Sequence, residues 1–223
     1  MPLSGTGMLI TIMDADPAEE EDFNRWYDRE HIVERVGIPG FLEARRYVTV
    51  AASPKYLNFY TTETLAALDS PAYRDKLENG TPWTRHHSAR FRNYTRVAAR
   101  VTGSKGQGRG GVLAMSRLRP SAAGTGELRN AILARFDAVV GLDQIISAHL
   151  IEADPALSVA PGDSRMQTGF GDWYVVVEGT DADAVRQAAE PRFGTPAVLA
   201  HCDVISFGTY RLLWDLAKAE LNR

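Results

Sequence analysis

The period of apolar and polar residues changes repeatedly along the chain, and each change marks an element. In GMLITIMDA (7–15), Met8, Ile10 and Ile12 alternate with Leu9, Thr11 and Met13, the two-residue period of a strand. Asp16-Pro17 then opens an acidic stretch of helical period that stops at Gly37-Ile38-Pro39-Gly40. Strand periods return in FLEARRYVTV (41–50) and KYLNFYTTE (55–63), with a turn at Ser53-Pro54 between them. TLAALDSPAYRDKLENG (64–80) predicts a helix broken near Pro71 and stopped at Gly80, and RNYTRVAARV (92–101) predicts a closing strand.

The same order then recurs. Strand (111–118), helix (125–140), strands (145–153 and 172–178), helix (182–190) and strand (203–213) again read β-α-β-β-α-β, the ferredoxin-like arrangement. One such unit is a four-stranded antiparallel sheet with helices on one face. Its other face is bare and apolar and needs a partner sheet. The expected fold is therefore α+β: two tandem ferredoxin-like βαββαβ repeats whose antiparallel sheets pack face to face as a pseudo-dimeric α+β barrel. The first repeat is placed at 1–102, a linker at 103–110 and the second repeat at 111–223. The stretch TGSKGQGRGG (102–111) carries five glycines among small polar and basic residues and reads as the flexible connection. Its glycines loosely match a nucleotide-binding fingerprint, but that motif opens a helix, whereas a strand pattern follows here.

Composition narrows the function without choosing it. The chain of 223 residues is 44% hydrophobic and 24% charged, ordinary values for a globular protein that buries its own core. A net charge of −3 supplies no basic field for nucleic acid or an anionic membrane. The single cysteine, Cys202, rules out an internal disulfide framework and suits a reducing compartment. With no long apolar run and no signal-like N-terminus, a cytoplasmic location is expected. Asn93-Tyr94-Thr95 matches a glycosylation sequon, which has no bearing without secretion.

The first helix holds the most unusual pattern, NRWYDREHIVERVGIPGF (24–41). At about 100° per residue from Trp26, Val33, Val36, Ile32, Phe23 and Tyr27 define the face against the sheet. Glu30 falls at about +40°, inside that face, and His31 at about +140°, one turn after Tyr27 and one before Arg35. A carboxylate on an apolar face is costly unless paired or protonated, and burial would move its pKa towards the range of a general acid or base. A histidine near an aqueous opening already titrates there. Glu30 and His31 are thus candidates for proton transfer, with Tyr27 as a hydroxyl donor. The structural alternative stays open: Arg29 also falls in the arc, as on a half-exposed helix with snorkelling arms, and Glu30 has Arg45 or Arg46 within reach as a partner.

The segment WYDREHIVERVGIPGFLEARRY resembles the helix-to-strand signature of the EthD-like group in the dimeric α/β-barrel superfamily, where a histidine-bearing first helix runs through a P-G-F turn into a strand with Arg and Tyr. NGTPWTRHHSARFRNYTR (79–96) is similar to a second segment of that group. The match covers residues 7–101, and the second half has no W-Y-D-x-E-H equivalent. The resemblance implies an open-ended pocket between sheet and helices for aromatic or polyketide-like molecules, one chemically equipped pocket per chain, and a reaction that fold alone does not choose. It supports Trp26, Glu30, His31, Pro39, Gly40, Phe41, Arg46 and Tyr47, with Pro39, Gly40 and Phe41 as turn and packing residues.

Further candidates follow from strand and loop positions. Asn58 and Tyr60 share one strand face and could orient a substrate, with Tyr56 beside them. Arg45 and Arg46 point to opposite faces, and Arg46 is favoured as the clamp for a carboxylate or phenolate. TPWTRHH (81–87) offers His87 or His86 as a second acid/base group and Trp83 as a lid, or else a surface loop anchored by Trp83. Adjacent histidines diverge, so only one is expected to reach the pocket. His31, Glu30 and His86 or His87 form a conceivable metal set without a compact motif, so no metal is expected. A haem would need one axial histidine, and no cofactor is assigned. His149, His201 and Cys202 lack supporting neighbours and read as structural. The leading expectation is a cofactor-independent lyase, dehydratase or isomerase acting on a small aromatic or polyketide-like molecule. A cofactor-free monooxygenase and a non-catalytic ligand carrier are the alternatives. The expected partners are that small ligand and no nucleic acid or membrane, with an internal pseudo-dimer and scope for a further homodimer.

Overall fold

A computed structural model describes residues 3–158 and 171–221. Eight strands form a closed antiparallel barrel: β1 (Gly7–Asp14), β2 (Phe41–Ala51), β3 (Tyr56–Thr62), β4 (Arg92–Gly106), β5 (Val112–Pro120), β6 (Ile145–Ala153), β7 (Trp173–Gly179) and β8 (Cys202–Ala217). Around the barrel they run β1-β3-β2-β8-β5-β7-β6-β4. Each repeat keeps the ferredoxin-like order, β4-β1-β3-β2 and β8-β5-β7-β6. The repeats join where β2 pairs with β8 and β4 with β6, so the lone sheet's edge strands are covered. The expected tandem barrel is what the chain forms.

The alternation in β1 sorts two cores. Met8, Ile10 and Ile12 point into the barrel with Leu57, Phe59, Leu113, Val176 and Tyr210. Leu9 and Met13 point outward, under the helices of the first repeat. The long helix α1 covers that outer face and has three parts: Glu20–Trp26, a π-helical turn Tyr27–His31, and Ile32–Gly37. Gly40, at a φ of +83°, makes the turn from α1 into β2, a backbone conformation side chains disfavour.

Three local expectations become more definite. The helix expected over 64–80 is a short 3-10 turn, Leu65–Asp69, followed by α2 (Pro71–Glu78), because the ring of Pro71 suits a first helical turn and Ser70 caps it. TPWTRHH is a helix, α3 (Pro82–Ser88), capped by the Thr81 side chain. The glycine-rich stretch is only partly a connection, since β4 runs to Gly106 and pairs with β6 as far as Gly106↔Ser147. In the second repeat α4 (Thr125–Leu133), α5 (Phe136–Val140) and α7 (Ala182–Ala189) cover the outer face, with a one-turn α6 (Pro155–Ser158) after β6.

The barrel interior is not wholly apolar. Arg45 on β2 makes two hydrogen bonds, 2.8 and 3.0 Å, to Glu178 on β7, and both side chains are about 1% exposed. The Gly110 N–H donates to Glu178 (2.9 Å) and its carbonyl accepts from Arg45 (3.1 Å), so the pair pins the connection between the repeats. A Cβ at Gly110 would lie 2.3 Å from the Gly179 carbonyl oxygen, which is why glycine is required at that pin.

Candidate functional site

The π turn decides what faces the first sheet. The Ile32 N–H bonds to the Tyr27 carbonyl, one residue further back than in an α-helix, and the residues after it are displaced around the axis. An uninterrupted α-helix would bury Glu30 and Val33. Ile32 and Val36 are buried as that wheel has them, but Arg35 is buried too, and Val33 is 42% exposed. Val33 therefore does not dock the helix. His31 takes the inward place that the even wheel assigned to Glu30.

Below α1 the register lines up one row of side chains across the sheet: Arg46 on β2, Asn58 on β3, Thr11 on β1 and Arg96 on β4. All four are buried. Asn58 Nδ2 lies 3.1 Å from Thr11 Oγ1 and 3.4 Å from the Tyr27 hydroxyl, which also contacts Met13 Sδ at 3.7 Å. Arg46 is caged by rings, its Cζ 4.4 Å from the Tyr27 centroid and 5.0 Å from that of Tyr56, while its Nη atoms donate to Asp28 (2.9 Å) and Asn24 (2.6 Å). His31 packs on Trp26 (4.3 Å) and Tyr27 (4.9 Å), with Tyr60 6.4 Å away between ring centroids.

What marks this region is a set of buried polar atoms without a hydrogen-bond partner among the described residues: His31 Nδ1, Tyr60 Oη, Asn58 Oδ1, Arg35 Nη1 and Arg46 Nε. Each such group forfeits on the order of 1–3 kcal/mol of desolvation free energy, so a group of five calls for a ligand or water as its explanation. Burial, with the nearby cations of Arg35 and Arg46 adding to it, lowers the His31 pKa well below its usual value. The imidazole is therefore neutral at pH 7 and gains its proton only at a lower pH than a histidine at an aqueous opening. Burial raises Tyr27 to about 12 and Tyr60 well above 10, so both hydroxyls stay protonated donors.

Tyr27, His31, Arg46, Asn58, Tyr60 and Trp26 are thus brought together, and Arg35 joins them. The sequence pattern already placed Tyr27, His31 and Arg35 one turn apart, but assigned Arg35 no role. The remaining candidates lie elsewhere. Glu30 accepts from Thr81 (2.5 Å) and Thr84 (3.2 Å), and Thr84 in turn accepts from Trp26 Nε1 (3.2 Å), so it ties α3 to α1. Neither Arg45 nor Arg46 is its partner. Trp83 Nε1 and His87 Nε2 both bond Asp22 Oδ2 at 2.9 Å, and His86 Nε2 bonds Glu19 at 2.9 Å. Both histidines meet acidic residues of α1, whereas only one was expected to point inward.

The metal set considered from sequence does not assemble around His31. The group of metal-ligating type among the described residues is Glu19, His86 and His87. A haem axial ligand needs an imidazole nitrogen facing room for a macrocycle, and the rings of Trp26, Tyr27 and Tyr60 occupy the sides of His31. His149 is held inside the barrel by Ser104 (2.9 Å) and Ser147 (3.1 Å), with its pKa lowered to about 4 by burial, the Arg45 charge adding to that and Glu178 opposing it.

No family model and no curated protein matches the sequence. Solved structures do match over nearly the whole chain. An anthrone oxidase-like protein aligns at a TM-score of 0.69 and 13% identity over 98% of this chain and 95% of its own. A candidate monooxygenase from Fusobacterium nucleatum aligns at 0.59 and 10% identity over 96% and 95%. A haem-binding protein from Thermus thermophilus aligns at 0.51 and 13% identity over 95% and 92%. With its closed barrel and repeated topology, the chain has the dimeric α/β-barrel fold, both halves carried by one polypeptide.

Proposed function

We propose that the buried polar layer between α1 and the first-repeat sheet is the active site of an acid/base enzyme of the lyase, dehydratase or isomerase type. Neutral His31 takes a proton from an acidic C–H or O–H of a small aromatic or polyketide-like molecule. The buried, unpartnered Nδ1 of His31, flanked by two guanidinium groups, carries this reading. A neutral imidazole is the form that accepts a proton, and Arg35 and Arg46 are placed to hold the anion that results. The protonated hydroxyls of Tyr27 and Tyr60 supply hydrogen bonds to that anion, and the Asn58 amide orients the molecule. The walls of Trp26, Tyr27, Phe41 and Tyr60 suit a planar aromatic ring. Glu30 acts through Thr84 and Trp26 as a positioning residue. Return of the proton to another atom gives isomerisation, and expulsion of a leaving group gives a lyase or dehydratase reaction.

A monooxygenase is the second reading, favoured by the same dry aromatic wall around an electron-rich anion and by the oxidase- and monooxygenase-like descriptions of the similar structures. Both readings share the first step, so one experiment addresses them. Anthrone, whose methylene lies across the central ring from the carbonyl and is acidic because its loss of a proton gives an aromatic anthrolate, is incubated with the protein in D₂O without oxygen, and deuterium entry at that carbon is followed. Accelerated exchange that His31→Gln removes is the expected result. Oxygen uptake when air is admitted would move the protein to the monooxygenase reading. Binding of anthrone that quenches tryptophan fluorescence without any exchange would overturn proton transfer and leave a ligand carrier.

A further inference from the structure

The imidazoles of α3 form a second cluster outside the pocket. Glu19 closes the start of α1, and Asp22 follows within its first turn. His86 Nε2 lies 2.9 Å from Glu19 Oε2, and His87 Nε2 lies 2.9 Å from Asp22 Oδ2. One ligating atom each from Glu19, His86 and His87 fall within 4.8 Å of one another. A cavity of about 410 Å³ opens beside them, lined by Ala18, Glu19, Glu21, Asp22, Arg25 and His86.

Three observations set this cluster apart from an ordinary surface salt link. Adjacent helical side chains diverge by about 100°, yet the two imidazoles serve one spot, with ring centroids 5.0 Å apart, because α3 packs against the start of α1 there. His87 is 2% exposed and packed against Phe23 and Trp26, so its position is fixed before any ligand arrives. The donors are two imidazole nitrogens and a carboxylate oxygen, the set that suits a first-row divalent ion, and Zn²⁺ above the harder Mg²⁺ and Ca²⁺.

We propose that Glu19, His86 and His87 bind one Zn²⁺-type ion, with Asp22 nearest to the fourth position, and that the ion clasps α3 to the start of α1. Bonds of about 2.0–2.2 Å place tetrahedral ligand atoms roughly 3.3–3.6 Å apart, so the cluster closes on the ion by rotation of the half-exposed Glu19 and His86 side chains. Arg90 lies 3.6 Å from Glu19, and Arg25 pairs with Asp22. Both arms are largely exposed and are displaced when the ion takes over their carboxylates.

The test uses the full chain, free of any affinity tag and stripped with chelator. Titration calorimetry with ZnCl₂ should show one saturable site. Co²⁺ should give the visible bands of a four-coordinate centre. Melting temperature should rise with Zn²⁺, since only the folded chain presents the site. Glu19→Gln and His86→Asn, both at half-exposed positions, should each weaken Zn²⁺ binding at least about tenfold and abolish the Co²⁺ bands, with circular dichroism unchanged. His31→Gln should bind as the parent does. Absence of saturable uptake, uptake that either cluster substitution leaves unchanged, or loss in His31→Gln would overturn the proposal.

Discussion

The outer faces of the two sheets are built on the same register and filled with opposite chemistry. In the first repeat one row across the strands reads Arg46, Asn58, Thr11, Arg96, buried under a helix that adds Tyr27, His31 and Arg35. In the second, the rows under the helices read Leu150, Val175, Ser116, Phe207 and Ala148, Val177, Ala114, Thr209. Against those rows pack Leu128, Ile132, Phe136, Val185 and Phe193. A helix-covered sheet needs only the second kind of layer. The first repeat therefore carries buried polar groups that folding does not require, and desolvating them costs stability. Such a cost is retained where it supports function, and this is the ground for placing the proposed site in the first repeat.

The comparison is broken most sharply at His31. Replacing it with Gln or Ala should lower turnover on a proton-transfer substrate by about 10²–10⁴-fold while leaving the melting temperature unchanged or higher. Measured with the anthrone exchange assay, a loss of stability with full activity would refute the role. The next largest effect lies between the repeats. Glu178→Ala leaves the Arg45 guanidinium buried and unpaired and releases the Gly110 pin, so urea unfolding should report about 3–5 kcal/mol of destabilisation. An equal change at Glu78, exposed on α2, should be close to neutral.

Acid titration gives a smaller and diagnostic effect. His31 has its folded pKa below its unfolded one, so between the two the unfolded chain binds more protons and stability falls as pH falls. His149, lowered to about 4, adds the same sign over the window from about 6.5 down to that value. Stability followed by denaturant midpoint should therefore decline below pH 6.5, and His31→Gln should flatten that slope by at most about 1.4 kcal/mol per pH unit. The acid limb of kcat/KM should likewise fall below pH 6.5, and an inflection at or above that value would contradict a buried neutral base. The smallest effect tests the dry layer directly. Val175→Asn, which writes the Asn58 residue type into the second repeat, should destabilise by roughly 1–3 kcal/mol, whereas Asn58→Leu, which removes both the orphaned Oδ1 and the amide donor to Thr11 and Tyr27, should cost less than that and weaken ligand binding.

Much of this architecture was legible in the order of residues. Strand periods in β1, β2 and β3 placed those strands, the stops at Gly37–Gly40 and Gly80 bounded the helices, and the repeated βαββαβ order implied the paired sheets. Strand parity correctly separated Arg45 from Arg46 and put Asn58 and Tyr60 on one face, because side chains alternate strictly with the pleat. Glu30 and His31 were visible as anomalies in an amphipathic helix, and Trp26 and Tyr27 as members of its buried face. Tertiary structure alone decided three matters. The π turn at Tyr27–His31 carried His31 inward and Glu30 to Thr81 and Thr84, since one extra residue in a turn leaves no mark in composition or periodicity. The pairing of Arg45 with Glu178 joins residues 133 positions apart, a contact set by barrel closure and invisible to local pattern. The meeting of His86 and His87 with the start of α1 depends on how two helices cross, a property of packed surfaces, not of either segment alone.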